Sequence, residues 1–152
     1  MNKMLVFDMD GTIADLYGVE NWLNDLQTEK IRPYEVAKPL YNMEVLNATL
    51  DWLKSLGWKI AIVSWTAKGG SKEYNKAVAK VKKEWLDRFG FPYDELHFIK
   101  YGTTKANATR AKADYQILID DCESIRNGWT LGATIDANEN IIEILKQLAL
   151  LF

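Results

Sequence analysis

Near its start the chain reads Met4-Leu5-Val6-Phe7-Asp8-Met9-Asp10-Gly11-Thr12, an apolar run ending in two carboxylates, a glycine and a hydroxyl. Side chains alternate along a strand, so this spacing puts Asp8 and Asp10 on one side, with Met9 pointing away. Two like charges that close repel unless a cation lies between them. Gly11 permits a sharp turn where a β-carbon would obstruct a ligand, and Thr12 adds a hydroxyl and an amide. The group is suited to a hard metal ion and an anion. A second acid pair, Asp120-Asp121, ends a later apolar run, Tyr115-Gln116-Ile117-Leu118-Ile119.

The elements that must position these acids follow from hydrophobic spacing. Leu16, Val19, Trp22, Leu23 and Leu26 predict a helix of about three turns with Asp15 as N-cap. The pattern then breaks up around Pro33 and Pro39, so residues 27–42 read as a loop or partly ordered excursion, and 13–42 together as a small insertion. A helix is expected from Met43 to Leu56 with Gly57 as its stop, then a buried strand Lys59-Ile60-Ala61-Ile62-Val63-Ser64. Ser71 caps a long helix carrying Tyr74, Val78, Val81, Trp85 and Phe89 at helical intervals, closed by Gly90 and Pro92. A weak strand at 95–99 precedes an alanine-rich helix opened by Lys105 and reaching about Ala113. After the Asp120-Asp121 strand come a helix through Ile125 and Trp129, a short strand near 133–135, and a last helix with Ile141, Leu145, Leu148 and Phe152 on one face. Strands alternating with helices predict an α/β domain, a three-layer Rossmann-like sandwich with a central parallel sheet. In such a sheet ligands bind beyond the carboxyl ends of the strands, where Asp8, Asp10, Ser64, Asp120 and Asp121 converge.

Composition sets the outer bounds. The 152 residues are 48% hydrophobic and 26% charged, with a formal net charge of −2, which fits one ordinary globular domain and excludes a strongly basic nucleic-acid binder. A single cysteine, Cys122, forms no internal disulfide, and Met1-Asn2-Lys3 leads into a strand with no leader pattern, so a cytoplasmic protein is expected. No apolar run approaches the roughly 18 residues of a membrane span. His97 reads as a strand residue and Cys122 as a small packing residue. Residues 68–84 carry six lysines against two glutamates, a local excess of four positive charges. That segment reads as a solvated helix face or, if it borders the rim, as an attractor of polyanions.

Asp8-Met9-Asp10-Gly11-Thr12 resembles the first motif of the haloacid dehalogenase-like (HAD) phosphohydrolases, Asp-x-Asp-Gly-Thr, and Ser64, Lys105 and Asp120-Asp121 follow in the order of that family's other motifs. The resemblance implies a phosphatase in which Asp8 attacks phosphorus and forms an aspartyl-phosphate that water later hydrolyses. It implies Mg²⁺ held by Asp8, Asp121 and the backbone carbonyl of Asp10, with Asp120 acting through water. Asp10 would protonate the leaving oxygen and then take a proton from water. Ser64 and the following amide, of Trp65, with the Gly11 turn and Lys105, would hold the phosphoryl oxygens. Lys100 and Lys112 are the alternatives to Lys105.

Three stretches, Asp8 to Asp15, Glu84 to Gly90 and Ile117 to Asp121, look like the small 5′(3′)-deoxyribonucleotidases. The small insertion, read as a cap, leaves the site partly open. The expected substrate is a small phosphate monoester, a nucleoside monophosphate, with Tyr17, Trp22, Arg32, Tyr34 or Trp65 stacking on the base. Plain core packing is the rival reading for Tyr17 and Trp22. The alternatives are a phosphatase for nucleic-acid ends, resembling the phosphatase domain of polynucleotide kinase-phosphatases, and a catalytically idle HAD-like module that binds Mg²⁺ or a partner. A monomer or a homodimer is expected, since Leu150, Leu151 and Phe152 exceed one buried stripe.

Overall fold

The computed structural model describes residues 1–151. Five strands, β1 (Lys3–Phe7), β4 (Trp58–Trp65), β5 (Glu95–Ile99), β6 (Tyr115–Asp120) and β7 (Thr134–Asp136), form one parallel sheet in the order β5-β4-β1-β6-β7. The remaining pair, β2 (Ala14–Asp15) and β3 (Lys38–Pro39), is a separate antiparallel ribbon. Helices α1 (Trp22–Gln27) and α2 (Arg32–Val36) lie between β2 and β3. They are followed by α3 (Met43–Ser55), α4 (Lys72–Arg88), α5 (Ala106–Thr109), α6 (Glu123–Asn127) and α7 (Ile141–Leu151).

Period-two alternation divides the core between the two sheet faces. Leu5, Phe7, Ile60, Ile62, Ile117 and Ile119 turn to one face, where they meet Leu46, Leu50 and Leu53 of α3, Trp85 and Leu86 of α4, and Ile141 and Leu145 of α7. Met4, Val6, Ala61, Val63 and Leu118 turn to the other, beneath Ala106 and Trp129. The architecture is therefore a Rossmann-like α/β sandwich. From β1 the chain crosses to β4 on one side and later to β6 on the other, so strand order reverses at β1, and the crevice opens beyond its carboxyl end.

The insertion after β1 differs from the expected three-turn helix. The Asp15 carboxylate accepts from the Gly18 amide at 3.0 Å and caps only a three-residue 3₁₀ turn, Leu16–Gly18. Helix α1 restarts after Asn21, whose φ of 66° lies in the left-handed region. The expected loop contains α2, with Pro33 in its first turn, where a missing N–H costs nothing. The alanine-rich helix is also shorter than expected, ending at Thr109. Trp129 lies beyond α6, and its indole donates to the Gln116 carbonyl at 2.9 Å. Leu150 and Leu151 are exposed on α7, and Phe152 lies outside the described residues. Among the described residues no helix is long and apolar enough to cross a membrane.

Candidate active site

Strand β1 stops at Phe7, and the next residues turn back on themselves: the amides of Thr12, Ile13 and Ala14 all donate to the Met9 carbonyl. Gly11 sits in this turn with φ of 79°. A β-carbon there would press on the Asp121 carboxylate and lie 2.8 Å from the Tyr17 ring, so glycine is required both by conformation and by close approach.

The Asp8 amide donates to the Ile119 carbonyl at 2.9 Å, which fixes the backbone of Asp8 against β6. Its two carboxylate oxygens accept from Lys105 Nζ at 2.8 Å and Thr12 Oγ1 at 3.0 Å. Lys105 also donates to Asp120 Oδ2 at 2.9 Å, and the other Asp120 oxygen accepts from the Cys122 amide. Thr12 Oγ1 lies 3.3 Å from Asp121 Oδ1. Asp8, Asp120 and Asp121 thus bring carboxylate oxygens within 4.8 Å of one another. Three hard oxygen donors without sulfur or imidazole fit Mg²⁺ rather than a soft transition metal.

The electrostatics agree with that fit. Burial, then the neighbouring Asp8 charge, push Asp121 up to about 7, and the same two causes raise Asp120 above the usual carboxylate range. Burial would lower Lys105, but Asp8 and Asp120 outweigh it and hold the ammonium above its ordinary value. A divalent cation would relieve the remaining repulsion among the acids.

Of the three lysines considered for this position, Lys105 is the one at the acids; Lys100 and Lys112 are exposed. Ser64 is buried at the end of β4. The Trp65 indole donates to the Thr103 carbonyl at 2.9 Å, and its ring stands 4.9 Å from that of Tyr101 and 5.3 Å from Lys105 Nζ. A cavity of about 380 Å³ opens over Asp8, Asp10, Asp120 and Asp121, with Ser64, Trp65 and Lys105 in its wall. The insertion contributes Tyr17, Trp22, Leu23 and Tyr34 to the same wall, Tyr17 and Trp22 in edge contact at 4.9 Å.

Two expectations need correction. Arg32 is not brought to the cavity: its guanidinium lies on the far side of the insertion, 3.7 Å from the buried Asp25 carboxylate. The lysines of α4 are not all a solvated face, because Lys82 is completely buried and donates to Asp10 Oδ2 and Ser64 Oγ, both at 2.8 Å. Burial raises Asp10 above the usual carboxylate range and Lys82 opposes the rise. A signal for Lys82 existed in the sequence, since it stands four residues after Val78 and eight after Tyr74, on the apolar stripe rather than opposite it. His97 is a strand residue paired with Glu95, and Cys122 precedes α6 with its thiol 3.2 Å from the Ser124 hydroxyl.

No protein-family model matches the chain, and no curated protein sequence matches it. Among solved structures, the chain is similar to the D,D-heptose 1,7-bisphosphate phosphatase from Burkholderia thailandensis. The TM-score is 0.53 at 11% identity, over 98% of this chain and 97% of that one. The two share a fold over nearly their whole lengths.

Proposed function

We propose that the protein is a HAD-like phosphomonoester hydrolase that works through an aspartyl-phosphate, with nucleoside monophosphates as substrates. The observation that carries the reading is the cluster of Asp8, Asp120 and Asp121 around Lys105, with Asp10 beside it, at the floor of one cavity. The whole-length fold shared with a phosphatase supports it.

Lys105 holds one Asp8 oxygen and Thr12 the other, which fixes the carboxylate for in-line attack. The bond from Asp8 to phosphorus forms as the bond to the leaving oxygen breaks, and Asp10 gives that oxygen a proton. Water then attacks phosphorus, Asp10 takes its proton, and Asp8 is released. The Ser64 hydroxyl and the Trp65 amide, both in residues of the cavity wall, would donate to the phosphoryl oxygens. Mg²⁺ held by Asp8, Asp120 and Asp121 would neutralise the repulsion between carboxylate and phosphate.

The wall above the floor favours a planar leaving group. Tyr17, Trp22, Tyr34, Trp65 and Tyr101 supply rings, and Leu16, Leu23 and Leu26 supply apolar surface. Gln27, Thr66 and Lys68 in the same wall would serve the sugar of a nucleotide, and the rings add what a sugar alone would not use, a stacking surface for a base. Residues 13–42 then act as a small cap. Of the basic segment Lys68 lines this cavity, whereas Lys72, Lys76 and Lys80 are exposed on α4 away from it, so no continuous basic track leads to the acids as a nucleic-acid end would need.

The test is phosphate release from ribo- and deoxyribonucleoside 5′- and 3′-monophosphates, sugar phosphates and a 3′-phosphorylated oligonucleotide, with and without Mg²⁺, beside Asp8→Asn. Mg²⁺-dependent release confined to mononucleotides and lost in the variant is the expected result. Preference for sugar phosphates or for the oligonucleotide overturns the substrate, and release equal to that of Asp8→Asn overturns the chemistry.

A further inference from the structure

Lys82 is fully buried, yet α4 contributes no residue to the cavity wall. Its ammonium has three N–H bonds, and all three are used: on Asp10 Oδ2 at 2.8 Å, Ser64 Oγ at 2.8 Å and the Trp65 carbonyl at 2.9 Å. The Tyr34 ring stands on its remaining side, 5.1 Å away. A cation saturated in this way cannot turn to a substrate phosphate without giving up a bond it holds in a dry site. Burying a lysine is costly unless every donor is matched, and here the matching set joins the turn after β1 to the end of β4.

We propose that Lys82 is a positioning residue for Asp10. It ties one carboxylate oxygen to the end of β4, so that the other is presented at a fixed place in the cavity. Ser64 and the Trp65 carbonyl are the anchors that stop the ammonium from following Asp10. The inference rests on the phosphomonoesterase reading above. In the first half-reaction the Asp8 oxygen bonds to phosphorus, and the phosphorus–leaving-oxygen bond gives its electron pair to that oxygen. The proton from the free oxygen of Asp10 completes the leaving alcohol. In the second, water bonds to phosphorus, its proton passes to Asp10, and the bond to Asp8 breaks. In the first half-reaction Lys82 therefore matters in proportion to how badly the leaving group needs a proton, whereas its part in the second is the same for every ester.

That dependence separates positioning from mere structure. Lys82→Met and the wild type are compared on a nucleoside 5′-monophosphate, whose leaving group is an alkoxide, and on 4-nitrophenyl phosphate, whose leaving group departs without protonation. The expected result is a kcat/KM, which reports the steps through departure of the leaving group, about 100-fold lower on the nucleotide but less than about fivefold lower on the aryl ester. Equal losses of kcat/KM on the two esters, or none, overturn the proposal. If Lys82→Met does not fold, Asp10→Asn and Asp10→Asn/Lys82→Met decide, since neither leaves a buried unpaired carboxylate. Their nucleotide kcat values should agree within about twofold, and a further loss of about tenfold in the double variant overturns the proposal. A wild type that turns over neither ester, or no faster than Asp8→Asn, marks failure of the underlying reading instead.

Discussion

Glu29 holds Ser71 by two bonds: one carboxylate oxygen accepts from the Ser71 amide at 2.9 Å and the other from its hydroxyl at 2.7 Å. The same hydroxyl oxygen accepts from the Tyr74 amide and caps α4, and Tyr74 donates its own hydroxyl to the Lys30 carbonyl at 2.7 Å. The insertion is thereby latched to the first turn of α4 rather than left to swing over the cavity.

The latch has a pH signature. Its bonds to Ser71 hold the Glu29 carboxyl below its ordinary value of 4.5, so the unfolded state takes up the proton first on acidification. The contribution is present above the unfolded value and lost as pH falls through the folded one. Thermal unfolding of the wild type and Glu29→Gln, followed from pH 6 to pH 3, should show an advantage for the wild type that fades in acid. A constant difference across that range would dissociate the latch from the carboxylate.

Lys105 joins two acids that would otherwise face each other in a buried place. Lys105→Met should lower the stability of the metal-free protein by about 3–5 kcal/mol, the cost of leaving buried charge unpaired. Mg²⁺ should restore part of it. Denaturant melts with Mg²⁺ and with chelator measure both, and an unchanged midpoint in chelator would remove Lys105 from its structural role.

Protons should compete with the metal. Burial and Asp8 hold Asp121 near 7, so a proton is bound there at pH 6 and largely gone at pH 8. The rise in Tm produced by Mg²⁺ should be larger at pH 8 than at pH 6, and absent in Asp121→Asn at both. Gly11→Ala should weaken the same response, because its β-carbon would displace the Asp121 carboxylate.

The aromatic wall should act on affinity more than on chemistry. Trp22→Ala removes an edge contact with Tyr17 in the cavity wall but touches none of the reacting groups, and should raise KM for a nucleoside monophosphate by about tenfold, while kcat for 4-nitrophenyl phosphate stays near the wild-type value. A loss on both esters alike would return Trp22 to core packing.

The sheet was legible because its central strands are short unbroken apolar runs, as a strand covered on both faces requires, and the register places Phe7 beside both Ile62 and Ile119. The acids were legible because they end those runs. The insertion was not, since its helices are set by local capping at Asp15 and by Pro33, and each is too short to show a period. Arg32 and Lys82 exchanged places for different reasons. Lys82 was read as solvated from its charge, against its place on the apolar stripe of α4, and is enclosed by Asp10, Ser64 and Trp65, whereas Arg32 lies in a stretch without a period, and only packing reveals that it faces Asp25.

The two-residue ribbon of β2 and β3 brings the insertion's entry and exit side by side, with Ala14 opposite Pro39 and Asp15 opposite Lys38. A segment whose ends already touch can be lengthened at small entropic cost, because closure of the loop grows only with the logarithm of its length. On the proposed function, the acidic floor and the insertion's part of the wall above it are consequently separable inheritances: descendants of this chain could trade one recognition module for another where the ribbon joins it while the acids stay in place.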